Sequence, residues 1–284
     1  MNTMISVQII VAALLLLCSH HVAGLSSLTI PDGFSLHPSA SIVNLSGTER
    51  GVTISKSPIE PKETLLVIPL EHIIQPEQGR QTPTGMAVHR HCCGVAENSS
   101  TQLKELMTEQ TYIALWLCHM LTITKGTDDA TAEATFFLDT LPALDDLTHI
   151  PMFWSEEDLG ELQGSTLLLE TRKNRRNWEA LYQEIATCHA PFGDQTSLDS
   201  FLWAQALTRS RTFSLRGDYF EGNDKVADQQ QRRSGMVPIL DMLNHRSRSD
   251  PKTCDWKFDE DRNAFVVQVV QTMNPGSEAC ISYG

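Results

Sequence analysis

Positive charge is what this chain has least of. Its 22 Lys and Arg stand against 35 Asp and Glu in 284 residues, a formal balance of 22 − 35 = −13 with His neutral. Such a surface repels nucleic acid and anionic membrane, and mildly favours a basic peptide or a lysine-bearing protein surface. Also missing are a G-x-S-x-G element, a P-loop and a dinucleotide-binding glycine fingerprint, so serine-hydrolase, nucleotide-triphosphatase and Rossmann chemistry find no support. No internal repeat or extended low-complexity tract is present, which excludes solenoid and collagen-like architectures. What remains, 41% hydrophobic and 20% charged, is a globular composition long enough for one large domain or two interlocked ones.

Long apolar runs are confined to residues 7–18 (VQIIVAALLLLC), followed by the small residues Val22, Ala23 and Gly24. That run is too short to cross a hydrocarbon core of ~30 Å comfortably, and it reads as a signal peptide over residues 1–24, although its first residues carry no Lys or Arg. Cleavage there leaves no stable membrane span and sends the chain into the secretory pathway, or onward to a plastid by a two-step route. Six cysteines follow it: Cys92, Cys93, Cys118, Cys188, Cys254 and Cys280. An even count permits disulfides without requiring them. Asn44 and Asn98 head N-x-S tripeptides that accept glycans on that pathway. The His89, His91, Cys92, Cys93 cluster lacks the second ligand pair of a structural zinc site, so no metal is expected.

Along the chain the outer parts read as strand and the middle as helix. Residues 52–54 and 65–70, separated by a turn-like IEPK, suggest neighbouring strands, with Pro69 ending the second. Residues 75–100 turn polar and read as a surface excursion. Apolar residues from Leu103 to Leu121 recur at helical spacing, with Lys125 and Gly126 as a stop. Ser155 opens a capping-box-like start, Gly164 terminates it, and residues 178–185 and 200–207 carry further helical patterns. The polar, Gln-rich residues 217–235 read as a mobile loop, after which strand character returns over 265–270 and 279–283, with a turn at 274–276.

Four segments in this order resemble a SET domain of the split type found in Rubisco lysine methyltransferases. They are IEPKETLLVIP (59–69), FWSEEDLGELQG (153–164), FLWAQALTRSRTF (201–213), and VPILDMLNHRS (237–247) with its partner NPGSEACISYG (274–284). The resemblance implies an α+β fold, a β-rich SET domain over 47–284. In it, strands at 47–71 and a catalytic half at 236–284 flank a helical insertion at 100–216. Family members continue beyond the tyrosine through an S-N-bearing segment, a Y-G-F element and a helical substrate-binding domain, so a chain stopping at Gly284 reads as truncated.

The resemblance further implies transfer of methyl from S-adenosylmethionine to a protein lysine, with histidine as the alternative acceptor. Asn244 and His245 match the pair that holds the cofactor, and Tyr283 matches the catalytic tyrosine at the channel mouth. Arg211 matches a residue shared by cofactor and substrate sites. Asp241 and Phe213 match the substrate channel, together with Tyr283. Glu49, Arg50 and Gly51 stand where the family carries a G-x-G-like cofactor loop, here with a single glycine offset by one residue. The rival readings are a catalytically inactive SET-like module that binds protein or peptide, and a secreted, cysteine-stapled binding protein.

Overall fold

The structure is a computed structural model, and it describes residue 30 and residues 32–46, 49–93, 101–126, 132–216, 232–246 and 252–282. The signal-peptide reading, the Asn98 tripeptide and Tyr283 lie outside the described residues. Strands from both ends of the chain interleave around an internal helical segment. A four-stranded sheet has the order β1-β4-β9-β8, from β1 (Ser35–Leu36), β4 (Thr64–Pro69), β9 (Ala264–Val269) and β8 (Cys254–Asp259), all neighbours antiparallel. Two hairpins stand beside it: β2 (Ala40–Ser46) with β3 (Glu49–Ile54), and β5 (Thr212–Arg216) with β6 (Arg232–Met236). A short parallel pair joins β7 (Asn244–His245) to β10 (Cys280–Ile281).

This arrangement corrects the expectation that residues 52–54 and 65–70 form neighbouring strands. They lie in different sheets. β4 sets Leu66 and Ile68 opposite Val267 and Phe265 of β9, all fully or almost fully buried, and burial of each such side chain contributes about 1.5–3 kcal/mol. β3 folds back on β2 instead, and its other edge takes the segment around Glu278, with Ile54 N donating to Ser277 O at 2.9 Å and Ala279 N to Val52 O at 2.7 Å. Among the described residues the first strand begins at Ser35.

The helical part is larger than its sequence pattern. Residues expected as a surface excursion form α1 (Pro76–Gln81) and α2 (Pro83–Cys93), packed on α4 (Glu109–Gly126). Gly79 explains the close approach, since a Cβ there would stand 1.8 Å from the main-chain oxygen of Tyr112. The helix expected from 103 to 121 is two, α3 (Thr101–Leu106) and α4, because Thr108 Oγ1 accepts from Thr111 N and caps a new start. α5 (Ala132–Thr140) follows. Ser155 caps α6 (Glu156–Gly160) as expected, its Oγ accepting from Asp158 N at 3.1 Å, and Gly164 turns the chain with φ +79°.

The expected pattern at 178–185 is the inner half of the 23-residue α7 (Thr166–Cys188), which leads through α8 (Ala190–Gln195) to α9 (Leu198–Arg211). Residues 232–235, expected in a loop, pair with β5 as strand. Two apolar cores result. One fills the strands around Leu66, Phe265, Val267 and Leu240; the other fills the helices around Ile113, Leu117, Phe201 and Leu207. They are stitched where Ile74 and Met236 exchange main-chain hydrogen bonds at 3.0 and 2.9 Å. Among the described residues, no helix is long and apolar enough to cross a membrane.

Among the described residues, four of the cysteines form no disulfide. Cys118, Cys188, Cys254 and Cys280 are free thiols, of which Cys188 alone is not buried; Cys92 is buried, and the Cys93 side chain lies outside the described residues. Burial pushes the Cys118 thiol up to about 12 and the Cys254 thiol to about 11, so neither is a thiolate at neutral pH. Among the described residues, no group of three His, Cys, Asp or Glu side chains is placed to hold a metal ion.

Candidate functional site

The candidate site forms where β3, the turn before β7 and the segment before β10 meet. Val237 and Ile239 are fully buried, and Ile239 takes φ +67°, a conformation that a β-branched residue enters at a strain of about 1–3 kcal/mol. That kink starts the short turn Leu240–Met242 and releases the chain into β7. Asn244 then lies opposite Cys280 and His245 opposite Ile281 in parallel register, and Arg246 N donates to Ile281 O at 3.0 Å.

Asn244 is the meeting point. Its Nδ2 donates to Glu278 Oε1 at 2.6 Å and to the main-chain oxygen of Arg50 at 3.3 Å. Gly51 completes the contact, since a Cβ there would lie 3.3 Å from Glu278 Oε1 and 2.7 Å from Leu45 Cδ1. The single glycine of the loop therefore stands where backbone, amide and carboxylate crowd together. His245 is exposed beside it. The Glu49 backbone opens β3, and its side chain lies outside the described residues.

A second group adjoins the first. Arg211, at the end of α9, reaches the wholly buried Asp241 carboxylate, with Nη1 3.2 Å from Oδ2. Burial raises the Asp241 carboxyl above the ordinary range, although the neighbouring Arg211 charge opposes the shift. Among the described residues, the buried Asp241 Oδ1 atom has no hydrogen-bond partner. Arg50 turns its guanidinium to the end of α5, donating to Leu141 O at 2.8 Å and Asp139 O at 3.3 Å. Burial lowers the Arg50 pKa; Asp146 opposes that shift, Arg211 adds to it, and Asp139 opposes it again. Arg50 is thus felt by Arg211 while its own main chain touches Asn244, which ties the two groups into one polar region.

Phe213 lies two residues beyond Arg211 and stands edge-on to Trp256 of β8, with ring centroids 5.8 Å apart. The structure therefore brings Arg50, Gly51, Arg211, Asp241 and Asn244 together, places His245 at the rim, and sets Phe213 in an aromatic wall with Trp256. Glu278 is the member that sequence reasoning missed. Its signal is the G-S-E of the turn, in which Gly276 takes φ +87° and Ser277 N donates to Asn274 O at 2.9 Å.

No family model matches the chain. The chain is 30% identical over 150 residues to the chloroplastic [fructose-bisphosphate aldolase]-lysine N-methyltransferase of Arabidopsis thaliana, covering 51% of this chain and 27% of that protein. It is 28% identical over 211 residues to the chloroplastic Rubisco large subunit N-methyltransferase of Nicotiana tabacum, covering 70% and 38%. Among solved structures it resembles the SET domain of LSMT bound to lysine and AdoHcy, with a TM-score of 0.61 and 20% identity over 88% of this chain and 50% of that one. Rubisco LSMT bound to sinefungin and monomethyllysine gives 0.58 and 22%, over 87% and 48%. The chain thus spans about a third of the length of these curated relatives and half that of the solved ones. Its described residues have the SET-domain fold, an α+β architecture, and the proteins it resembles are methyltransferases of the Rubisco lysine type.

Proposed function

We propose that this chain is an S-adenosylmethionine-dependent protein-lysine N-methyltransferase. The observation that carries the reading is the meeting of Gly51, Asn244 and Glu278 beside the Arg211–Asp241 pair, brought from four separate segments. The donor set fits the cofactor. Its amino-acid end presents an ammonium and a carboxylate, which match the amide oxygen of Asn244 and the cations of Arg50 and Arg211. The bare backbone at Gly51 admits close approach. The cofactor supplies a methyl on a positively charged sulfonium.

This chain's residues then have positioning work. Held in line within a water-poor channel, donor and acceptor react as in an intramolecular displacement, so alignment supplies much of the acceleration. The nucleophile is a neutral amine, and a nearby positive charge together with burial favours loss of the ammonium proton. Tyr283, by its place in the motif, orients that amine through its hydroxyl. Phe213 with Trp256 forms part of the apolar wall, and the net charge of −13 draws a lysine-bearing protein surface. The relatives named above are chloroplastic proteins, which supports the plastid end of a two-step route for this chain.

The test is calorimetric titration with S-adenosylmethionine, followed by methyl transfer to a lysine-bearing protein. Saturable binding is expected. Tyr283→Phe should lower turnover by about 10²-fold or more while cofactor affinity stays within a few-fold. Binding of a basic peptide without any binding of cofactor would reject the enzyme in favour of a SET-like recognition module.

A further inference from the structure

Glu278 does more in this fold than fill a turn. The Asn244 amide nitrogen has two N–H donors, and both are engaged, one by Glu278 Oε1 at 2.6 Å and one by the Arg50 main-chain oxygen at 3.3 Å. Each partner is an acceptor only. Turning the amide over would set Oδ1 against a carboxylate and a carbonyl at once, exchanging two attractions for two repulsions. The Glu278 contact is the short, charge-assisted one, and it dominates that choice. The remaining group, Oδ1, is thereby presented as an acceptor of fixed direction.

Glu278 is itself firmly held. It bridges Thr53 in antiparallel register, and the chain donates into β3 on either side of it, Ala279 N to Val52 O at 2.7 Å and, two residues before Glu278, Gly276 N to Ile54 O at 2.8 Å. The missing side chain at Gly51 leaves the space its carboxylate uses. Nothing in this geometry is needed to hold the turn, which already has its glycine and its Ser277 to Asn274 hydrogen bond.

We propose that Glu278 is a positioning residue. It locks the Asn244 amide with Oδ1 facing the amino-acid end of the cofactor, where that oxygen accepts from the α-ammonium. The inference rests on the methyltransferase reading for its ligand, but not for the amide orientation.

The experiment titrates the full chain with S-adenosylhomocysteine and with methylthioadenosine, which shares the adenosine thioether but lacks the amino-acid end. Glu278→Ala should weaken the first by about tenfold and leave the second within about twofold. Glu278→Gln, which still offers Asn244 an oxygen, should recover most of the loss. Equal loss for both ligands, or loss for neither, overturns the proposal. In parallel, the Asn244 side-chain amide resonances of the ligand-free protein should move and exchange faster in Glu278→Ala; unchanged resonances overturn the orientation. A wild-type chain that binds neither ligand rejects the methyltransferase reading, and the amide resonances alone then decide whether Glu278 orients Asn244.

Discussion

Arg211 donates to Asp241 twice, to Oδ2 at 3.2 Å and to its main-chain oxygen at 3.1 Å, and so fastens the end of α9 to the turn that delivers Asn244. The helical segment and the strand segment are therefore joined at the candidate site by this guanidinium, as they are by that of Arg50 at the end of α5. The partnership is unequal, because the Asp241 side chain has no exposed surface while 21% of the Arg211 side chain is open to water.

Burial outweighs the Arg211 charge at Asp241, so the folded pKa lies above the unfolded one and the native state holds the proton more tightly. Stability contributed by this group is then greatest below the ordinary carboxylate pKa and falls as pH rises through the raised folded value. The difference in Tm between wild type and Asp241→Asn should decrease as pH rises above about 4. A flat or rising difference would show that Arg211 keeps the carboxylate ionised.

Two glycines separate scaffold from site. Gly79→Ala would drive a Cβ to 1.8 Å from the Tyr112 main-chain oxygen, against backbone that cannot yield, and should destabilise the chain by about 3 kcal/mol or more. Thermal or denaturant unfolding reads this directly.

Gly51→Ala meets the tip of Leu45 first, a flexible side chain, so the fold should lose only about 1 kcal/mol. The same methyl crowds Glu278 Oε1, and cofactor affinity should fall more than stability does. A variant with full affinity would remove Gly51 from the site.

Arg175 and Arg172 both reach Glu156, yet they should differ. Arg175 also donates to the main-chain oxygens of Met152 at 2.7 Å and Trp154 at 2.8 Å, from a side chain only 19% exposed. Arg175→Met should cost about 2 kcal/mol because half-buried carbonyls lose their donor, whereas Arg172→Met, 41% exposed, should stay within about 0.5 kcal/mol. Equal losses from the two would assign the effect to the Glu156 ion pair instead.

Local chemistry was the part of this fold legible from sequence. The Ser155 cap, the Gly164 terminator and the turn at 274–276 each follow from one or two residues with a defined backbone preference. Strand existence was legible at 265–270, where four consecutive residues from Ala264 are buried. Strand partnership was not, because β3 and β4 look alike as short apolar runs and differ only in what reaches them from 200 residues away. α1 escaped for a related reason: six residues containing Gly79 carry no helical pattern, and the packing on α4 that forms them is tertiary. Arg211, Asp241 and Asn244 were singled out through their ordered motifs, and the fold brings them to one region. Glu278 was not, since its role exists only once Asn244 stands beside it.

The pairing of β3 with residues 276–279 has a consequence for biosynthesis. A ribosome that has made the entire helical insertion has still not made Asn244 or the edge that β3 needs, so Gly51 waits unpartnered while the middle of the chain can already fold on local contacts. The polar region of the candidate site is consequently a late product of translation, and a nascent chain released before Glu278 leaves the exit tunnel would carry well-formed helices and an unassembled site.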